Sequence, residues 1–495
     1  MILDDAGTPE VPDIPESRLY NADLAPVPRA LRRWRIGSIA ALWISMSACI
    51  PTYLLASSLI GGGMNWWEAI LTVFLGNLIV LVPMILNAHA GTRYGIPFPV
   101  LCRASFGTVG ANLPAVLRAL VACGWFGIQA WIGGDALHKI LEVFAPEAAA
   151  GAPIAVLGIS GSQLACFLVF WGINIWVVYK GIESIRILLN IKAPLLIVLG
   201  LMLLAWAVRQ AGGFGPIFSQ PSAFDAGQPK SGQFLPFFFP ALTGMIGFWA
   251  TLSLNIPDFS RYAKSQRDQI LGQVLGLPLT MALFAFIGVA VTSATTVIYG
   301  RTIWDPVAVL THFQRPAVLV ASMLAVCVAT LATNIAANVV SPANDFAHLS
   351  PNRISFRTGG LITGIIGVVI MPWKLVADPS GYIFTWLVGY SALLGPIGGI
   401  MIADYFVVRK RVLHVAALYD PAGEYRYTGG WHMAAVAAFI IGVLPSLPGF
   451  LVQINSLPAA TFPAWLTALY NYAWFIGFGA GFGSYLLFRR TKNLP

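Results

Sequence analysis

The chain has 495 residues, 57% of them hydrophobic and 10% charged, with a mean hydropathy of +0.76. A soluble domain is nearer half apolar and a quarter charged, and few soluble folds have interior enough to hide this much apolar side chain, so most of it must face lipid. The net charge of +9 is dispersed over short loops with no basic stripe for a polyanion, which excludes nucleic acid as a partner.

Residues 1–35 are polar, Pro-rich and without an apolar h-region. They read as a cytoplasmic tail of disordered character and not as a signal peptide. Twelve apolar stretches then follow, each near the roughly 20 residues that cross a bilayer. They lie near 37–60, 67–90, 113–137, 160–180, 184–208, 235–256, 269–298, 316–342, 358–373, 379–403, 430–452 and 463–488. With both termini cytoplasmic, 22 of the 29 Lys and Arg fall in inside segments and six outside, the bias that sets orientation. Trp66, Trp67, Trp373, Tyr382 and Trp431 sit near span ends, as interfacial anchors do.

Span one carries Trp43-Ile-Ser-Met-Ser-Ala-Cys-Ile-Pro51, and span six carries Trp249-Ala-Thr-Leu-Ser-Leu-Asn-Ile-Pro257. The Trp, the second Ser, the Ile and the Pro are in register. The copies are offset by five spans, and an odd offset makes them run in opposite directions through the membrane. That is the mark of an inverted repeat, whose solute site lies where two interrupted helices meet. Pro51 and Pro257 are placed to make those interruptions; plain proline kinks are the alternative. The chain therefore divides into a tail (1–36), a first five-helix repeat (37–208), an extracellular loop (209–234), a second, inverted repeat (235–403), a cytoplasmic loop (404–429), two further helices (430–488) and a cytoplasmic end (489–495).

In span three, Gln129 lies one turn after Trp125 among several glycines. An uncharged amide at this depth needs partners, and an indole on the same helical face makes the pair suited to a planar heterocycle: the rings stack while the amide reads N–H and C=O groups at the edge. Helix packing through the glycines, with Gln129 bonded to a neighbour, is the alternative. Span five holds Lys192, nine residues beyond Glu183 and so roughly 13 Å into the span at helical rise. A mid-span ionisable residue is a functional candidate; a lysine snorkelling to the interface competes with that reading. Span eight adds Thr330, Thr333, Asn334 and Asn338, hydroxyl and amide oxygens that suit a hard cation or the same ligand, or that glue helices together. The five cysteines and six histidines show no metal-ligand spacing, and no disulfide framework or paired catalytic carboxylates are expected. No enzyme chemistry, cofactor or obligatory protein partner is expected either. The residues point to a carrier for a small heterocycle in a lipid bilayer, with an uncoupled channel or facilitator, or a membrane receptor, as alternatives.

At these residues the chain resembles the nucleobase–cation symporter family 1. The resemblance is carried by Asn21-Ala-Asp-Leu-Ala-Pro26, Tyr94-Gly-Ile-Pro-Phe-Pro-Val-Leu-Cys-Arg-Ala-Ser-Phe-Gly107, Trp125-Phe-Gly-Ile-Gln129, Asn334-Ile-Ala-Ala-Asn338 and Gly395-Pro-Ile-Gly-Gly-Ile-Met-Ile-Ala-Asp-Tyr-Phe406. It implies an all-α membrane fold of the leucine-transporter type, a 5+5 inverted repeat plus two helices, and import of a uracil, allantoin or hydantoin type of solute with Na+ or H+ across the plasma membrane. It implies a substrate ring between Trp125 and Trp249, edge contacts from Gln129 and Asn338, and a pocket wall at Cys49, a position often occupied by an amide elsewhere. It further implies a sodium site of the Ser45, Ala48 and Ala329 carbonyls and the Thr333 hydroxyl. Ala332 replaces a serine ligand there. Proton-coupled carriers of the same fold can place a lysine ammonium where sodium would sit, which makes Lys192 the candidate for proton coupling.

Overall fold

In hydrocarbon every backbone polar group must find its partner within the protein, and this chain meets that demand with helices. The computed structural model describes residues 14, 17–180 and 182–490; of residues 182–193, 356 and 490 only the backbone is described. Among the described residues no β-strand occurs.

Helices α1 (Ile36–Ser47) and α2 (Ile50–Gly62) form one span bent by 57°. A capping box, with Asn65 and Glu68 each accepting the other's amide, opens α3 (Trp66–Tyr94). A short α4 (Phe98–Phe106) leads to α5 (Asn112–Phe144), followed by α6 (Gly161–Lys180) and α7 (Ile182–Gln210). Trp249 alone separates α8 (Phe234–Phe248) from α9 (Ala250–Asn255). Then come α10 (Gln266–Tyr299), α11 (Pro316–Asn338), α12 (Val340–Leu349) and α13 (Phe356–Val369). Helix α14 (Val388–Ile402) lies between π-helical turns at Gly381–Leu387 and Ala403–Val408. The chain closes with α15 (Met433–Val443) and α16 (Ala473–Arg490).

Helices occupy each of the twelve apolar stretches. By length and hydropathy, seven are long and apolar enough to cross a membrane, or eight when the bent α1–α2 pair counts as one. Of the others, α8 and α13 are apolar but short, at 15 and 14 residues, while α7 runs unbroken for 29 residues.

The interruptions do not fall at the prolines. The first lies at Ala48 (ψ 84°) and the extended Cys49 (φ −152°, ψ 160°), and Pro51 sits in the opening turn of α2. There a missing N–H costs nothing, because the first-turn amides have no helical acceptor. The second lies at Trp249 (φ −102°, ψ 5°), eight residues before Pro257, which opens the short turn Pro257–Ser260. Both prolines start helices.

Two glycines let α1 lie directly on α10. A Cβ at Gly272 would stand 2.4 Å from the Ile39 Cβ, and one at Gly276 2.7 Å from the Trp43 Cβ. Residues 17–35 differ from the expected disordered tail: they are packed across one face. Arg103 donates to the Leu19 carbonyl (3.1 Å), Arg261 to Asp23 (3.1 Å), the Tyr419 hydroxyl to Leu24 (2.6 Å) and Arg32 to Val27 (2.9 Å). Trp34 and Ala263 add a parallel bridge. Above this face the fully buried pair Arg118–Asp345 joins α5 to α12 at 2.8 Å. Asp258 accepts from the Phe98 amide (2.8 Å) and the Ser341 hydroxyl (2.9 Å).

Candidate substrate and coupling site

The repeated phrase closes on itself. Its two tryptophans, Trp43 on α1 and Trp249 at the break between α8 and α9, meet edge to face at 5.2 Å and 85°. Phe248 touches Trp249 at 5.0 Å and Trp125 of α5 at 5.2 Å. The two expected stacking residues thus both touch one phenyl ring. Trp125, Trp249 and Gln129 are all buried.

Around Trp125 stands an aromatic stripe that the sequence reading had not assigned to the site: Tyr382, Trp386 and Tyr390, with ring centroids 6.0–6.5 Å from it. The stripe ties down backbone near both interruptions. Tyr382 donates to the Pro51 carbonyl (3.2 Å) and Tyr390 to the Gly247 carbonyl (2.8 Å); carbonyls in a last helical turn such as that of α8 have no helical donor. Tyr382 is therefore no interfacial anchor: it is fully buried, and its hydroxyl is spent inside the protein. A Cβ at Gly124 would lie 2.2 Å from Trp386, so glycine at 124 is what lets the indole approach α5.

The amides form a relay from α11 to α5 and α6. Asn338 donates to Asn334 Oδ1, and Asn334 donates to the Phe126 carbonyl and to Asn174 Oδ1, all at 3.1 Å. The Phe126 carbonyl adjoins Trp125, which brings Asn338 into the same neighbourhood. Gln129 is outside the relay. Its Oε1 is buried with no hydrogen-bond partner among the described residues, and so is Trp249 Nε1. An acceptor on α5 and a donor at the break are thus uncommitted.

Cys49 is buried, its sulfur 3.3 Å from the Thr52 hydroxyl. It lines a cavity of about 690 Å³ walled by α2, α7, α10 and α11, through Tyr53, Leu196, Trp206, Phe284 and Val326. Of the five expected substrate-binding residues, Cys49 alone lines it.

The expected cation ligands converge in part. Ala48 and Ala329 share a small buried cluster with Leu196 and Phe284. Helix α1 ends at Ser47, so the Ser45 carbonyl falls in a last turn that lacks helical donors. Thr333 donates its proton to the Ala329 carbonyl (2.9 Å), which leaves the hydroxyl lone pairs for a cation. Ala332 contributes no oxygen. The Lys192 side chain lies outside the described residues; its backbone continues α7 one turn before Leu196.

Long apolar helices, two of them interrupted around buried aromatics and amides, mark a polytopic membrane protein. Residues 26–477 match the family model described as permease for cytosine/purines, uracil, thiamine and allantoin, and the chain belongs to that family of nucleobase–cation symporters. It is 47% identical over 441 residues to a purine-uracil permease of Arabidopsis thaliana, covering 89% of this chain and 73% of that one. To the allantoin permease of Bacillus subtilis (strain 168) it is 41% identical, covering 96% and 94%. A solved nucleobase-cation-symport-1 transporter, in a closed conformation with bromovinylhydantoin bound, superposes with a TM-score of 0.76 at 25% identity and 96% coverage of both chains. These relatives are permeases and not enzymes.

Proposed function

We propose that this protein is a symporter of the plasma membrane that imports a planar nucleobase or ureide, of uracil, allantoin or hydantoin type, together with a cation. The observation that carries the reading is the uncommitted Gln129 Oε1 one turn from Trp125. A buried acceptor without a partner costs about 1–3 kcal/mol, and the ring N–H of a bound heterocycle would remove that cost. Trp125 and Trp249 would flank the ring, Asn338 would reach its carbonyl edge, and Cys49 would present a weakly polar thiol where others carry an amide.

Transport follows if solute and cation each favour one conformational state, so that binding shifts its population. Twelve spans in a 5+5 inverted repeat plus two helices, with both termini cytoplasmic, accommodate the two interrupted helices and the distribution of basic residues. For the cation, the missing oxygen at Ala332 weakens a sodium site made of Ser45, Ala48, Ala329 and Thr333. Lys192, whose backbone lies one turn before the residue that packs on Ala48 and Ala329, is the titratable residue that would take the place of sodium. Proton coupling through Lys192 is the reading these residues favour.

The test is a thermal-shift screen of purified protein with uracil, cytosine, adenine, allantoin and benzyl-hydantoin, with and without sodium. Stabilisation by one heterocycle, lost in Gln129→Ala and Asn338→Ala and independent of sodium, is the expected result. No shift with any of them would turn the assignment towards a different solute.

A further inference from the structure

On the face crossed by residues 17–35, a cavity of about 660 Å³ opens where α1 and α10 begin, lined by Arg29, Arg32, Arg35, Lys264 and Arg267. Five cationic side chains face one carboxylate, Asp268, which is already engaged: one oxygen accepts the Ile36 amide (3.1 Å) and the other the Ser265 hydroxyl. A bias of basic residues towards one side of a membrane explains their presence on this face, but not their convergence on one concavity. Nor does it explain Arg32, only 5% exposed. Its Nε and NH1 are held by the carbonyls of Val27, Thr92 and Arg93 (2.9–3.1 Å) and its NH2 packs against Gly95, so its charge stands fixed in the cavity wall. Burial and the neighbouring Arg29 charge lower the Arg32 pKa to about 10, the environment of a cation short of a counter-charge.

We infer that this cavity is a binding site for a phosphate group, contacted by Arg29, Arg35, Lys264 and Arg267, with the buried Arg32 adding fixed positive charge to its wall. Guanidinium forks match phosphate oxygens. The volume exceeds what a bare phosphate needs, and basic pockets beside the ends of membrane helices take lipid headgroups. A phosphodiester of an anionic phospholipid and free inorganic phosphate share this chemistry. Either would draw the segment before α1 and the start of α10 together from one side, reinforcing the contact at Gly272 and Gly276.

The experiment titrates short-chain phosphatidylglycerol, short-chain phosphatidylcholine and inorganic phosphate separately into full-length protein in a non-ionic detergent, reading the unfolding midpoint. The comparison is with the double variant Arg35→Gln, Lys264→Gln, both of whose sites are exposed and distant from the heterocycle site. A saturable rise with phosphatidylglycerol alone supports the site and assigns a lipid; a rise with phosphate as well supports it and assigns the bare group. In either case the apparent Kd should rise at least tenfold in the double variant, while any shift produced by a heterocycle is unchanged, so failure here is distinct from failure of the transport reading. An equal rise with phosphatidylcholine, an undiminished effect in the variant, or no rise with any of the three overturns the inference.

Discussion

Gln129 spends an amide in the interior without bonding its oxygen, and that decides what its replacement should do. In Gln129→Leu the ligand-free protein is expected to keep or slightly raise its unfolding temperature, since an unsatisfied acceptor has been removed. Heterocycle affinity should fall at least tenfold, about 1.4 kcal/mol. Calorimetry of the binding together with a melting curve separates the two effects; a structural amide would lose stability first. Asp345 should behave in the opposite way. Its pair with Arg118 is fully buried on both sides, and removing one member of such a pair costs about 3–5 kcal/mol. Asp345→Ala should therefore lower the melting temperature markedly while leaving the heterocycle contacts in place. The Trp125–Gln129 pair was legible in the sequence because a four-residue spacing defines a helical face. The stripe Tyr382, Trp386 and Tyr390 has the same spacing, but polar-tipped aromatics near a span end also fit lipid interfaces. Only the acceptors at Pro51 and Gly247 distinguish the two uses.

Helix against helix, α1 sits on α10 at glycine distance. Gly276→Leu places a branched side chain where a single Cβ already falls 2.7 Å from Trp43 and 2.9 Å from the Ala40 backbone. Loss of folded protein, or of transport, is expected and can be read from fluorescence-detected gel filtration alongside uptake. Gly172 on α6 is the control: a Cβ there meets nothing within 4 Å. Gly172→Ala should be neutral or stabilising by up to about 1 kcal/mol, the helix-propensity difference. The existence of paired interruptions could be read from the repeated phrase. Their positions could not, because proline marks a helix start as readily as a break. Extended backbone at Cys49 and the lone non-helical Trp249 have no local sequence signature; tertiary donors lie beside each, Tyr382 on the Pro51 carbonyl at the first and Tyr390 and Asn87 on the Gly247 and Ser253 carbonyls at the second.

For the whole molecule, composition and the alternation of basic residues marked a multi-pass membrane protein, and the family match supports the permease reading. The order in residues 17–35 was hidden. It rests on bare carbonyls taken up by Arg103, Arg261 and Tyr419, far away in the chain, and a polar, proline-rich composition carries no trace of such acceptors. Coupling also belongs to this scale, because it requires the solute site, the cation site and both faces to act together. If Lys192 carries the proton, Lys192→Met should lose concentrative uptake and its pH dependence while retaining solute exchange; a variant that keeps both would remove Lys192 from the mechanism. The most direct measurement is uptake of labelled uracil and allantoin into proteoliposomes under an imposed proton or sodium gradient. A symporter accumulates one solute above the external concentration, and that accumulation should collapse when the proton gradient is dissipated and be abolished in Gln129→Ala. Uptake that only equilibrates, whatever gradient is imposed, would contradict it and mark the protein as a facilitator.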